Sequence, residues 1–220
     1  MRRLLVLRPE PGASATVAKA REQGLDAVAV PLFEIEAIEW EAPEAGSFDG
    51  LLLTSANAVR HAGERLKDYR GLEAYAVGEA TADAAREAGF GIASTGDSGV
   101  DRLLGSIDSE LKLLHLCGED RRQPEGARQQ ITAVPVYRSK VVASPDLGAT
   151  QGAVALIHSP RAARRFAELV ENRGSIAIAA ISDAAGQAAG EGWEKVETAS
   201  DPTDAALLAL AARLCNKPAL

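Results

Sequence analysis

The sequence predicts an α/β protein built from two similar domains, and three observations carry that prediction. The chain repeats itself at a fixed offset. Its strands read as short, unbroken apolar runs, and a small or polar residue followed by a helical pattern comes after each run. The repeat lays Phe48–Ser106 over Gly152–Leu210, 104 positions further on (159 − 55 = 104 for Ser55 and Ser159). Leu51-Leu52-Leu53-Thr54-Ser55 matches Ala155-Leu156-Ile157-His158-Ser159, and Ala76-Val77-Gly78-Glu79-Ala80-Thr81 matches Ala180-Ile181-Ser182-Asp183-Ala184-Ala185. Two units of roughly 100 residues can each bury a core, and a cleft is expected between them.

Along the chain, Leu4–Leu7 reads as the first strand. Leu51–Leu53, Ala74–Val77, Leu113–Leu116, Val154–Ile157 and Ile176–Ile181 follow. Unbroken apolar runs suit strands buried on both faces, as in a parallel sheet with helices on each side. Helices are predicted where apolar residues recur at helical spacing: Val59, Ala62 and Leu66; Ala162, Phe166, Leu169 and Val170; Leu207, Leu210, Ala211 and Leu214. Ser159-Pro160 is a helix start, with serine as N-cap and proline at the first helical position. Gly24 and Gly89 are helix stops. The pattern is βαβα throughout.

Two segments depart from it. Val30-Pro31 through Ile38 and Val134-Pro135 through Val142 both read as extended, and their Val-Pro pairs are also 104 apart (134 − 30 = 104). They are expected to be two crossings between the domains, paired as a ladder over 33–38 and 134–141. Residues 1–32 and 142–220 then form one discontinuous domain, and 39–133 a second, inserted one. A tandem split near 140 stays open as the alternative.

The chain carries a net charge of −7, which counts against a nucleic-acid-binding body but not against an anionic small molecule. Cys117 and Cys215 stand in no metal-ligand or disulfide spacing. The opening apolar run is too short for a signal-peptide core, and no stretch is long enough to span a bilayer. A cytoplasmic monomer without membrane or nucleic-acid partners is expected.

In open parallel sheets ligands bind beyond the carboxyl ends of the strands. Those ends hold Arg8-Pro9, Thr54-Ser55, Gly78 through Thr81, Cys117-Gly118, His158-Ser159 and Ser182-Asp183. Small and hydroxylated residues leading into helix N-termini can grip carboxylates or phosphates with amides and hydroxyls. Equally, serine and threonine cap helices everywhere. No phosphate loop, GxGxxG, GxSxG or HExxH motif is present. His61 and His115 read as structural or surface residues, Trp40 and Trp193 as packing, Glu34–Glu44 as a solvated acidic face, and Arg121-Arg122 as surface. His158 could face a ligand, but Ser159 beside it is favoured. Tyr137 lies in the second crossing segment. An ordinary phenol keeps its proton at neutral pH and can donate it, so Tyr137 is either an acid facing the cleft or a packed edge residue.

Thr54-Ser55-Ala56-Asn57-Ala58-Val59, Tyr75 through Ala82, Val136-Tyr137 and Ser159-Pro160, in this order and spacing, resemble the uroporphyrinogen-III synthase family. Arg8-Pro9 and Phe48-Asp49-Gly50 agree. The resemblance implies two flavodoxin-like doubly wound domains joined by a two-stranded β-ladder. It implies cyclisation of the linear tetrapyrrole hydroxymethylbilane to uroporphyrinogen III, with ring D inverted and water lost, for haem and sirohaem biosynthesis. No metal or organic cofactor is implied, and transient contact with hydroxymethylbilane synthase is conceivable. By match to the family's motifs, Tyr137 is the catalytic residue. Arg8, Thr54, Ser55, Gly78, Thr81, Ser159 and Ser182 contact a substrate bearing eight carboxylates. Leu7, His158 and Ala185 stand where the family commonly has other residues, and at Ala185 a hydroxyl is lost. The alternatives are a non-catalytic two-lobed module binding an anionic small molecule and, less favoured, a phosphate-using enzyme of doubly wound fold.

Overall fold

The structure, a computed structural model, describes residues 1–96, 99–121, 123–148 and 150–216. The chain forms two compact units, Met1–Glu34 with Val141–Leu220, and Ile35–Lys140.

The first unit contains β1 (Leu4–Val6), α1 (Gly12–Glu22) and β2 (Ala27–Ala29) from the start of the chain. From its end come β9 (Val154–Ile157), α5 (Pro160–Leu169), β10 (Ala177–Ala180), α6 (Asp183–Ala188), β11 (Lys195–Thr198) and α7 (Asp204–Cys215). The strands lie in the order β11-β10-β9-β1-β2, and every pair is parallel. Successive residues of a strand face opposite sides of the sheet. Leu4, Val6, Val154 and Leu156 pack with α1 and α7, while Leu5, Leu7, Ala155 and Ile157 pack with α5 and α6. This is why the strands read as unbroken apolar runs. Read from β2, the order is 2-1-3-4-5, the flavodoxin-like doubly wound arrangement.

The second unit contains β3 (Phe33–Ala37, shared with the boundary), β4 (Gly50–Leu53), α2 (Ala56–His61), β5 (Glu73–Val77), α3 (Glu79–Glu87), β6 (Ile92–Gly96), α4 (Val100–Ser106), β7 (Lys112–Gly118) and β8 (Gln130–Val141). Its sheet runs β3-β8-β7-β4-β5-β6. The 104-residue offset carries β4, β5 and β6 onto β9, β10 and β11, so the five strands β8-β7-β4-β5-β6 repeat the spatial order of the first unit. The pair that completes each sheet comes first in one unit (β1, β2) and last in the other (β7, β8).

Three expectations change. The helix predicted through Leu66 stops at His61, because Gly63 turns the chain at φ +71° and a 3₁₀ run over Glu64–Tyr69 carries Leu66 instead. The βαβα pattern is not complete, since among the described residues no helix joins β7 to β8. The ladder is also not separate from the second sheet. The early part of β8 pairs in parallel with β7, and β3 then adds on its other side. Ile38 N–H donates to the Val136 carbonyl and Val142 N–H to that of Leu32, so β3 and β8 run antiparallel. On this ladder Glu36 pairs with Arg138 at 3.1 Å and Lys140 at 2.7 Å, which gives part of the acidic run a structural partner.

Trp40 stacks with Tyr69 and Trp193 with Phe166, as packing residues. Arg2 anchors the N-terminus. Its guanidinium donates to the carbonyls of Gly152, Ala153 and Ser175 and forms a two-oxygen salt bridge with Glu194.

Candidate functional site

In each unit the chain leaves two adjacent central strands in opposite directions, and the ligand-binding position of such sheets lies beyond the carboxyl ends of those strands. In the second unit these strands are β4 and β7. Thr54 and Ser55 follow β4. Ser55 is the N-cap of α2 and its hydroxyl accepts from Asn57 N–H at 3.2 Å. Thr54 Oγ1 lies 3.0 Å from Nε2 of His115 on β7. His115 is only 2% exposed, and its imidazole is pushed down to about 4, first by burial and then by the charge of Arg121. A neutral ring therefore holds the Thr54 hydroxyl from beneath.

Beyond β7 the pairing with β8 slips. Cys117 faces Pro135, and Gly118 then faces Tyr137, so Val136 is the extra residue of a bulge. Strict alternation would send Val136 and Tyr137 to opposite faces. Both pack on the cluster that contains Leu114 and Leu116, so the bulge turns the phenol onto the side of α2. The Tyr137 ring comes to the end of β7 over Gly118, and its backbone carbonyl accepts from Glu119 N–H at 2.9 Å. His61 on α2 lies 6.3 Å from the Tyr137 ring between centroids, and its pKa is lowered by burial and by Arg60. The structure thus brings Tyr137 to the strand ends that carry Thr54 and Ser55. The groove of about 850 Å³ next to His61 includes Glu39, Glu41 and Glu64 in its lining, which makes it a poor host for a polyanion.

Gly78 and Thr81 follow β5. Gly78 has φ +82° and caps α3, and a β-carbon there would meet open space. Only the backbone conformation requires glycine at this point. Thr81 faces inward in α3, 5% exposed, and presents little surface to a ligand.

In the first unit the two strands are β1 and β9. Arg8 follows β1 and lies across Gly12, where a β-carbon would stand 2.6 Å from its Nε. Its guanidinium donates to Asp204 Oδ2 at 2.7 Å, so this cation is already neutralised. His158 follows β9, with a side chain 10% exposed and Nε2 3.5 Å from Asp204 Oδ1. This contact joins the ring to the same carboxylate that Arg8 pairs. The His158 imidazole and the Arg8 guanidinium hold the Asp204 carboxyl well below the usual carboxylate range, against the opposing effect of burial. Ser159 caps α5 by accepting from Ala162 N–H, and Ser182 caps α6 by accepting from Ala185 N–H. A capping hydroxyl accepts through oxygen and keeps its proton to donate, so capping and ligand contact are compatible.

Sequence reasoning missed Asp204 and the His115 contact. The first had a local signal in Thr203-Asp204, an N-cap with an acid in the first turn. The second is a pairing between strands with no local trace. Of the Arg121-Arg122 pair, Arg121 is half-buried near His115, while Arg122 lies outside the described residues. Among the described residues no helix is long and apolar enough to cross a membrane, and no group of three or more His, Cys, Asp or Glu residues could hold a metal.

Comparison with known proteins identifies the family and the fold. The family model described as uroporphyrinogen-III synthase HemD matches residues 14–209. The fold resembles that of uroporphyrinogen-III synthetase from Helicobacter pylori, with a TM-score of 0.72 and 19% identity over 97% of this chain and 100% of that one. It also resembles a mutant uroporphyrinogen III synthase from Thermus thermophilus, with a TM-score of 0.56 and 17% identity over 99% and 100% of the two chains. No curated protein sequence matches.

Proposed function

Because the chain belongs to the uroporphyrinogen-III synthase family, we propose that it converts hydroxymethylbilane to uroporphyrinogen III, a cyclising lyase reaction that inverts ring D and releases water. The observation that carries this reading is the placement of Tyr137 at the end of β7, turned there by the bulge at Val136.

The substrate carries eight carboxylates. Backbone N–H groups at strand ends, with the protons of Ser55 and Ser159, suit such a ligand without a strongly basic surface. The first chemical step is loss of the terminal hydroxyl. Tyr137 donates a proton to that oxygen, directly or through water, the C–O bond breaks, and water leaves an azafulvene cation. The ring-D carbon that already carries the chain attacks the cation, its older bond to the chain breaks to leave a second azafulvene cation, and the free α-carbon of ring D then attacks that cation, which inverts the ring. The proton that this carbon releases on regaining aromaticity restores the phenol. The cation closes without inversion when unassisted, so the enzyme's main contribution is to orient the chain and select the attacked carbon. No cofactor enters the scheme.

The test is to supply hydroxymethylbilane made in situ by its synthase and to separate the oxidised product isomers. The type III isomer is expected, and type I alone, as in the enzyme-free control, would remove the synthase assignment. Tyr137→Phe is expected to lower kcat about 100-fold, within the range of a lost general acid, with the fold intact. Full activity would move the acid role to water or to the substrate's own carboxylates.

A further inference from the structure

The end of β7 has an unusual neighbour. A β-carbon built on Gly118 would lie 2.9 Å from Tyr137 Cζ, 3.0 Å from Cε2 and 3.1 Å from the hydroxyl oxygen. Carbon atoms in contact ordinarily stand about 3.5–4.0 Å apart. The three atoms affected are the far end of the phenol, the part that would donate the proton.

Close side-chain approach recurs at two other strand-end glycines, Gly50 and Gly96, whose β-carbons would stand 2.7 Å from Tyr75 Cε2 and 3.0 Å from Leu103 Cβ, while glycines that precede helices have a different reason. Gly78 and Gly99 precede helices with positive φ, and a side chain there would meet nothing within 4 Å. Gly118 is the reverse case. It has no left-handed backbone, so alanine is conformationally admissible, and only the tyrosine ring excludes the side chain. The backbone on both sides is fixed, since Gly118 pairs with Tyr137 in the ladder and the next residue, Glu119, donates to the Tyr137 carbonyl. The ring, not the strand, must therefore move to admit a β-carbon.

We infer that Gly118 is a positioning residue for the Tyr137 hydroxyl, and that the missing β-carbon at the end of β7 is the seat on which the phenol rests. The inference rests on the proposed role of Tyr137 as the acid. Substituting alanine would displace the hydroxyl by about 0.5–1 Å, and a misplacement of that order in a reacting group costs up to about 100-fold in rate.

The experiment is a double-mutant cycle of Gly118→Ala and Tyr137→Phe, read by kcat, KM and the ratio of type III to type I product. It is paired with NMR of protein carrying [ζ-13C]tyrosine, in which Tyr137→Phe assigns the resonance. Gly118→Ala is expected to lower kcat 10- to 100-fold with KM within about twofold and to move the Tyr137 resonance. In the Tyr137→Phe background the same substitution is expected to change kcat by less than twofold, because no hydroxyl remains to misplace. An unmoved resonance, or an equal loss of kcat in both backgrounds, overturns the seat. If wild-type protein yields only type I product, the functional reading fails by itself. The resonance then still decides the seat: a shift on Gly118→Ala upholds it, and no shift overturns it.

Discussion

The buried imidazole of His115 makes the stability of the second unit depend on pH, in a direction and by an amount that follow from its surroundings. Its folded pKa lies near 4, lowered mainly by burial, against an ordinary value of 6.5. Between these values the unfolded chain binds a proton that the folded chain refuses. Stability therefore rises with pH across this window, is complete above about pH 6.5, and is lost as pH falls towards 4. The full effect is 2.303RT times the difference, about 3 kcal/mol. Between pH 7 and 5 alone it is about 2 kcal/mol. His115→Gln keeps a polar partner for Thr54 and carries no titrating group. Each unit holds one tryptophan, Trp40 in the second and Trp193 in the first, so a Trp193→Phe background leaves Trp40 to report on the second unit. Urea titrations at pH 7, 6 and 5 should show the His115→Gln protein losing about 2 kcal/mol less than its parent between the extremes. Parallel slopes in the two proteins would mean that His115 charges freely in the folded state. That would refute both the neutral ring and the Thr54 contact as drawn.

Other features lead to equally direct tests. Arg2→Met strips a charge from a pair whose side chains are 7% and 15% exposed and removes the guanidinium from Glu194 and from the Gly152, Ala153 and Ser175 carbonyls, of which Ala153 keeps the Ala177 N–H. It should cost about 3–5 kcal/mol in urea unfolding followed by Trp193 fluorescence, and a loss under 1 kcal/mol would contradict the anchoring role. Asp204 is held low by His158 and Arg8, so its contribution is present above the ordinary carboxylate range and is lost as pH falls through its folded value. Partial exposure limits the contribution to under about 1 kcal/mol, and Asp204→Asn should flatten the acid limb of the first unit's unfolding curve by that amount. Cys117 and Cys215 are both buried, with burial raising both thiols and pushing Cys215 up to about 11. Native protein at pH 8 should resist Ellman's reagent, and both thiols should react in denaturant.

Much of the fold was legible because its central strands are buried on both faces and so write themselves as apolar runs. β4, β7 and β9 are examples. Two edge strands, β6 and β11, were not. β6 reads Ile-Ala-Ser-Thr-Gly and β11 Lys-Val-Glu-Thr, since an edge strand is partly exposed and alternates polar residues as protection against unwanted pairing. The β7–β8 connection was misread for a related reason. Pattern reasoning extends a helix wherever two parallel strands must be joined, while here a loop suffices, with Gln129 donating to the Leu104 and Asp108 carbonyls. At the site, the serines were readable as caps because capping is local. Tyr137 was found by motif, but its orientation depends on a one-residue slip against β7 that leaves no mark in the sequence.

That slip bears on where chemistry can occur. The 104-residue repeat makes the two units alike in strand order, yet their strand ends differ in charge. In the first unit the ends of β1 and β9 carry an arginine bound to an aspartate, beside a histidine whose Nε2 stands 3.5 Å from the same carboxylate. An ionised Asp204 opposes any substrate carboxylate that comes near, and Arg8 is already spoken for. The grip available there is the N-terminus of α5 and the Ser159 proton. In the second unit the ends of β4 and β7 present hydroxyls, a neutral imidazole, and a phenol set over a glycine, with Glu119 and Asp120 following β7. A proton donor for a departing hydroxyl must hold its proton and point it at the leaving oxygen. Under the proposed reaction, the second unit supplies the acid and the first supplies only binding. The double variant Tyr137→Phe/His158→Tyr should then fail to yield type III product from hydroxymethylbilane, read by separating the oxidised isomers, while circular dichroism shows the fold retained.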